Sequence, residues 1–333
     1  MEDIQMSHKG DIIVTGGSGF IGSHLCEKLL DDGYKVTNID TLITGSKENT
    51  KHLESNKNYT FINDQITKKL LTGLNIKTLI GVLHLASPAS PVGYETYPIQ
   101  TLHANSICTL EILHYLLDRK LKNDKDNSRF LLTSTSEIYG NPLQHPQDET
   151  YFGNINPIGP RSQYSEAKRF AEAATVTFLR TVGLNTAIAR LFNTYGPRMK
   201  ANDGRVLPNF INQILEDKPL TIHGDGLQTR SFCYVDDTVK GIYKLFFSNI
   251  HEPINIGNPN EVLSIREIAT RIISLMGKGE INHIKEKPED PTRRCPKIAR
   301  AIKLLDWKPE ITMAEGLFNT IQYFTNKKIY SII

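Results

Sequence analysis

DIIVTGGSGFIGSHLCEKLLDDG, residues 11 to 33, is the stretch on which the fold turns. DIIVT (11–15) is a short β-branched run, GGSGFIG (16–22) a glycine-rich turn, and SHLCEKLLDDG a helical pattern with Leu25, Leu29 and Leu30 on one face and Gly33 as its stop. Strand, glycine turn and helix in that order form the context a dinucleotide-binding fingerprint requires. Glycine permits the tight turn and a close backbone approach, and the helix N-terminus offers unpaired N–H groups to a pyrophosphate. Gly16, Gly19, Phe20, Ile21 and Gly22 are the residues placed to do this. The next strand, YKVTNID (34–40), ends in Asp40, 18 residues after Gly22. A carboxylate there accepts hydrogen bonds from ribose hydroxyls and repels a 2′-phosphate, so NAD is favoured over NADP.

Further along, TSTSEIYG (133–140), a polar loop ending NPIGPR (156–161) and YSEAKR (164–169) bring hydroxyls, one carboxylate and a Tyr-x-x-x-Lys pair into a single strand-loop-helix passage. Tyr164 and Lys168, at i and i+4, share a helix face. An ammonium at about 4 Å and an effective dielectric near 20 is worth roughly 4 kcal/mol to a phenolate. That is enough to draw a tyrosine towards neutral ionisation, although such a pair is also common on ordinary helix surfaces.

The remaining pattern repeats the alternation. YTFIND (59–64) ends in Asp64, which could reach an adenine or simply form a turn. IGVLHLAS (80–87) reads as a buried strand that brings Ala86 and Ser87 to its carboxyl end. Residues 104–118 read as a helix with Ile107, Leu110, Leu113 and Leu117 on one stripe, and RFLLTSTS supplies a central strand. Alternating strands and helices imply an α/β fold, a doubly wound parallel sheet covered on both faces, with ligands at the carboxyl ends of its strands. Gly16 to Gly22, Asp40, Ala86 and Thr133 to Glu137 all lie at such ends.

After LNTAIARLFNTYGPR (184–198) the pattern loosens: a helix is expected at 238–248, a strand at PINIG (253–257), and Arg198, Arg205, Arg230, Arg293 and Arg294 stand in loops suited to a phosphorylated ligand. The expected division is a NAD-binding domain over 1–195, to which segments near 230–260 return, and a smaller C-terminal α/β substrate-binding domain over 196–333.

The composition narrows the class. The chain has 333 residues, 39% hydrophobic and 23% charged, with a net charge of +3 and no basic tract, which argues against a nucleic-acid partner. No apolar segment approaches the roughly 20 residues of a membrane span. The acidic-polar start MEDIQMSHKG leads to the expectation of a cytoplasmic protein. Cys26, Cys108, Cys233 and Cys295 are far apart and the ten histidines are scattered, a pattern of reduced thiols with no metal site.

The assembled motifs resemble the extended short-chain dehydrogenase/reductase superfamily, and within it the UDP-glucuronate decarboxylases. HLASPASP (84–91), STSEIYG (134–140), HPQDETYFGNINPIGPR (145–161), ARLFNTYGPRMKANDGRV (189–206), QTRSFCYVDD (228–237) and DPTRRCP (290–296) carry the likeness. It departs at Thr41, Ser165 and the Tyr97 to Gln100 stretch. The resemblance implies a Rossmann-type sheet, NAD held by Gly16, Gly19, Gly22 and Asp40, and a catalytic set of Thr135, Tyr164 and Lys168, with Glu137 and the adjacent Ser136 as the acid-base pair. It further implies UDP-glucuronate held by Asn193, Arg205, Arg230 and Arg294, and a homodimer through the 104–118 and 164–182 helices. The reaction implied is decarboxylation to UDP-xylose through a 4-keto sugar without net redox change. Its rivals are a 4,6-dehydratase, a 4-epimerase or a non-catalytic NAD-binding protein.

Overall fold

The computed structural model describes residues 8–285 and 293–330. The first residues of MEDIQMSHKG (1–7) and of DPTRRCP (290–292), and the last three of the chain, lie outside that range. Seven strands build the central sheet: β1 (Asp11–Thr15), β2 (Lys35–Ile39), β3 (Tyr59–Ile62), β4 (Leu79–His84), β5 (Arg129–Thr135), β6 (Thr186–Leu191) and β7 (Ile254–Ile256). Their order is β7-β6-β5-β4-β1-β2-β3, and every pair is parallel.

Side-chain alternation along these strands sorts the core into two layers. Ile12, Val14, Leu83, Leu131, Ala187 and Ala189 face the helices Phe20–Asp31 and Val235–Phe246, through Leu25, Leu29, Val239 and Ile242. Ile13, Val82, Phe130, Leu132 and Ile188 face the helices Ile107–Lys122 and Ser162–Val182, through Ile112, Leu113 and Ala171. With apolar groups buried on both faces, the sheet has no wet side, which is why its strands read as continuous hydrophobic runs.

The chain order reverses between β1 and β4, where one connection leaves to each side, and the cleft opens there. Among the described residues the other strands form three small sheets. Thr229–Ser231 sits between Val262–Ser264 and Arg293–Arg294, Leu220–His223 pairs with Ile281–Ile284, and Thr194–Tyr195 pairs with Cys233–Tyr234.

Two helices differ from the sequence reading. The single helix expected at 104–118 is two, Pro98–Asn105 and Ile107–Lys122, with a break at Ser106, whose hydroxyl bonds back to Leu102 O at 2.6 Å and competes with the backbone ladder. Its buried face is Cys108, Ile112, Leu113 and Leu116, whereas Ile107 from the expected stripe is 49% exposed. The helix expected at 238–248 is Val235–Phe246, since Asp236 and Asp237 favour the positive N-terminal end of a helix. Among the described residues no helix is long and apolar enough to cross a membrane. All four cysteines are buried free thiols.

Candidate active site

The residues expected to hold NAD, to hold the sugar nucleotide or to carry the chemistry line one cleft of about 1320 Å³, with Arg293 alone of the candidate arginines outside it. Its cofactor end is built by the glycine turn. Gly16 has φ +73°, and a Cβ there would sit 2.7 Å from Ala86 Cα on the neighbouring strand end. A Cβ on Gly22 would overlap Gly16 O, so the helix can approach the turn only with glycine at that position. Gly19 is the N-cap of the Phe20–Asp31 helix; no side chain caps it and no acid stands in its first turn. The leading N–H groups therefore remain open to an anion. Asp40 accepts the Ser18 N–H at 3.0 Å and the Leu42 N–H at 2.8 Å. Burial pushes its pKa up and those two bonds pull it back. This turn, helix end and carboxylate fit the pyrophosphate and ribose of NAD. Asp64 is exposed at the rim and accepts its own neighbour's N–H, from Gln65, at 2.7 Å, so one oxygen serves a turn.

The other end is built where β5 finishes. Thr135 caps a short 3-10 turn, Ser136–Tyr139, accepting the Glu137 N–H at 3.2 Å. The Thr135 side chain also acts on the Tyr164 phenol, pulling its pKa down. Tyr164 and Lys168 are both buried on the inner face of the Ser162–Val182 helix. Their electrostatics differ from the simple pair argument. Lys168 Nζ donates to Thr133 O at 2.7 Å, and burial lowers its pKa to about 7 against the pull of Glu172. Burial likewise pushes the Tyr164 phenol up to about 12, with Thr135 partly opposing it. Desolvation, absent from a Coulomb estimate, is the largest influence on both members.

Behind Lys168 lies a relay of buried polar groups. Thr133 Oγ1 donates to His84 O at 2.9 Å, His84 Nδ1 meets Thr15 Oγ1 at 2.7 Å, and His84 Nε2 meets Ala104 O at 3.2 Å. Because a carbonyl can only accept, Nε2 carries the proton and Nδ1 accepts from Thr15. Burial, then Lys168, hold the His84 pKa down to about 3, so the ring is neutral.

Glu137 meets Arg294 at 2.5 Å and Arg161 at 3.4 Å. Burial favours its neutral form, but Arg294, Arg161 and Arg230 outweigh it and hold the carboxyl at about 2. Arg230 and Arg294 are register partners on adjacent parallel strands, which places both guanidinium groups at this end. Arg205 stands at the N-cap position of the Val206–Leu215 helix, makes no capping bond with its side chain and pairs with Asp203 at 3.4 Å; Asn193 O is tied to Cys233 N at 2.8 Å. Arg198 lines the cleft but is drawn to Glu27 at 2.6 Å, and Arg293 is exposed outside the lining.

Two residues were missed. Tyr94 stacks on the Tyr164 ring at 5.2 Å and 13°, and Arg161 Nε donates to its hydroxyl at 3.0 Å. Tyr94 sits on a six-residue helix, Pro91–Thr96, too short for a periodic signal. Arg161 ends NPIGPR one residue before the Ser162–Val182 helix begins, and its nearness to Tyr164 in sequence is the available clue.

A nucleotide fold joined to a tyrosine, lysine and hydroxyl set is the architecture of an oxidoreductase-type sugar-nucleotide enzyme. The chain belongs to the NAD dependent epimerase/dehydratase family, which it matches over residues 12–257. It is 46% identical over 314 residues to UDP-glucuronic acid decarboxylase 1 of Xenopus tropicalis, covering 94% of this chain and 72% of that one. To UDP-glucuronic acid decarboxylase 1 of Arabidopsis thaliana it is 43% identical over 318 residues, covering 95% and 70%. Among solved structures it is similar to UDP-glucuronic acid 4-epimerase of Bacillus cereus in complex with UDP-glucuronic acid and NAD. The TM-score is 0.82 and the identity 31%, with 95% of this chain and 99% of that one covered.

Proposed function

We propose that the chain is an NAD-dependent UDP-glucuronate decarboxylase, which oxidises C4 of the sugar, releases C6 as carbon dioxide and restores C4 to give UDP-xylose. The observation that carries this reading is that Thr135 and Glu137, the latter paired with Arg294, stand two residues apart on one turn in the cleft that Tyr164 also lines. A hydroxyl-oxidising group and a carboxylate-handling group thereby face the same small volume.

Bound NAD supplies the hydride acceptor and later donor for C4, together with a positive ring that favours the Tyr164 phenolate. Gly16, Gly19, Phe20, Ile21 and Gly22 would hold its pyrophosphate and Asp40 its ribose hydroxyls, with Asp64 and Ala86 as further cofactor-binding residues. Tyr164 takes the C4 hydroxyl proton, and Thr135 donates to the oxygen as it becomes a carbonyl. Lys168, held by Thr133 O, supplies positive charge beneath the phenol.

The 4-ketone makes the C6 carboxylate a β-keto acid, so the C5–C6 bond breaks with its electrons passing into a C4 enolate. A proton then replaces C6 at C5. Glu137, whose carboxyl three arginines hold at about 2, assists delivery of that proton, directly or through Ser136 and water. Asn193, Arg205 and Arg230 hold the uridine diphosphate, and Arg294 faces the sugar acid.

Incubation of the protein with UDP-glucuronate and NAD, followed by mass spectrometry, is expected to yield a product lighter by one carbon dioxide with no NADH build-up. A product of unchanged mass but altered configuration would favour a 4-epimerase, loss of water a dehydratase, and untouched substrate would end the reading.

Three subsidiary proposals accompany it. Residues 196–333, apart from the stretch returning to the sheet, are the nucleotide-sugar domain. The chain works in the cytoplasm, in keeping with its four buried free thiols. It forms a homodimer through the outer face of the Pro98–Lys122 and Ser162–Val182 helices, where Ile99, Leu102, Ile107 and Phe170 are exposed. Sedimentation velocity is expected to show twice the chain mass; a monomer at every concentration would exclude the dimer.

A further inference from the structure

We infer that Gln147 is a positioning residue that acts by holding the Arg294 segment against Glu137, an inference that rests on the decarboxylase reading above. Gln147 is fully buried. Its backbone N–H donates to Cys295 O at 2.9 Å, its side-chain oxygen accepts the Cys295 N–H at 2.8 Å, and its own carbonyl accepts the Lys297 N–H at 2.8 Å. These three bonds bracket Pro296, its partner in an isolated bridge. They grip the chain immediately after Arg294, whose two-residue strand is otherwise paired along one side only.

The side chain itself cannot turn. Its Nε2 donates to Gln144 O at 2.7 Å and meets His145 Nδ1 at 2.9 Å while its oxygen faces Cys295 N. Glutamine is the residue that offers an acceptor to one side and a donor to the other at this length. Glutamate would set a second oxygen against Gln144 O, and methionine would fill the volume with no bonds.

The far side of the same frame leads back to Glu137. Asn255, fully buried on β7, donates to Gln147 O at 3.1 Å and Lys297 O at 3.2 Å, and accepts from the Tyr139 hydroxyl at 2.8 Å. Tyr139 ends the turn that carries Glu137. Glu137 and Arg294, paired with each other, thus close one ring of buried groups that runs through Tyr139, Asn255, Gln147 and Cys295, and Gln147 is the link between its halves. A displacement of about 1 Å at a reacting group costs on the order of 100-fold in rate, so loosening this ring matters at the sugar acid.

The test is a double-mutant cycle. Gln147→Met is expected to lower kcat roughly 10- to 100-fold while UDP affinity, measured by calorimetry, and the amount of NAD retained stay at the wild-type level. In an Arg294→Lys background the same change is expected to cost less than about twofold, because its route to the chemistry is already damaged. Equal losses in both backgrounds, or an unchanged kcat in folded Gln147→Met, would overturn the inference. If Gln147→Met does not fold, Gln147→Glu, which keeps the shape and the acceptor towards Cys295, carries the same cycle with the same two outcomes. A wild-type protein that leaves UDP-glucuronate intact removes the decarboxylase reading; an active wild type with an additive cycle removes this inference alone.

Discussion

Tyr164→Phe is expected to lower UDP-glucuronate turnover by about 10³-fold, within the range that a positioned acid-base group contributes. The phenyl ring fits the space already occupied, since Tyr164 is 6% exposed and stacked on Tyr94. What is lost is the oxygen that the Thr135 side chain acts on and that takes the C4 proton. A hydrogen bond to such an oxygen is worth about 1 kcal/mol, so the melting temperature should shift by only a few degrees. NAD retention should not change, because the glycine turn and Asp40 are untouched. Steady-state rates and cofactor absorbance after desalting check both halves. Turnover within tenfold of wild type would remove Tyr164 from the mechanism.

Glu137→Gln is expected to have the second-largest effect, a loss of about 10²-fold in kcat, with the oxidation spared more than the later steps. Reduced cofactor should then accumulate on the enzyme during turnover, visible in its absorbance, where the wild type shows none. Full activity would count against the assigned role. The variant also tests the electrostatics. In the folded chain the Glu137 carboxyl titrates at about 2, below its unfolded value, because arginines overcome burial. Its contribution to stability is therefore complete above the unfolded value near 4.5 and is lost as the pH falls towards 2. Thermal melts of Glu137→Gln should accordingly lose less stability across that acid window than wild type does, while starting lower at neutral pH because Arg294 and Arg161 have lost their carboxylate.

Much of the architecture was legible because its causes are local. Gly16 and Gly22 stand where no Cβ fits, and the strand runs are apolar because both faces of the sheet are covered. Likewise Tyr164 and Lys168 share a face because i and i+4 always do. What the sequence hid depends on distant segments meeting. Tyr94 reaches Tyr164 across 70 positions, and Gln147 reaches Cys295 across nearly 150, with no periodicity linking either pair. The protonation argument was incomplete for the same reason. The attraction between Tyr164 and Lys168 could be written down from their spacing, but the burial that opposes it belongs to the folded interior. HPQDE (145–149) matched a family segment without disclosing a cause, and the frame around Gln147 and Asn255 supplies one.

The placement of β7 also bears on the order in which the protein can be made. β7 is the outer neighbour of β6, yet it is reached only after residues 192–253, which include the Val206–Leu215 helix and the strand bearing Arg230. On a chain still being synthesised, β6 remains an open edge with unpaired backbone groups until that whole stretch has emerged. Asn255, which anchors the amide ring behind Glu137, arrives with the same strand. The growing chain thus closes its sheet and braces its reaction centre in one late event, and a product truncated near residue 195 would have neither.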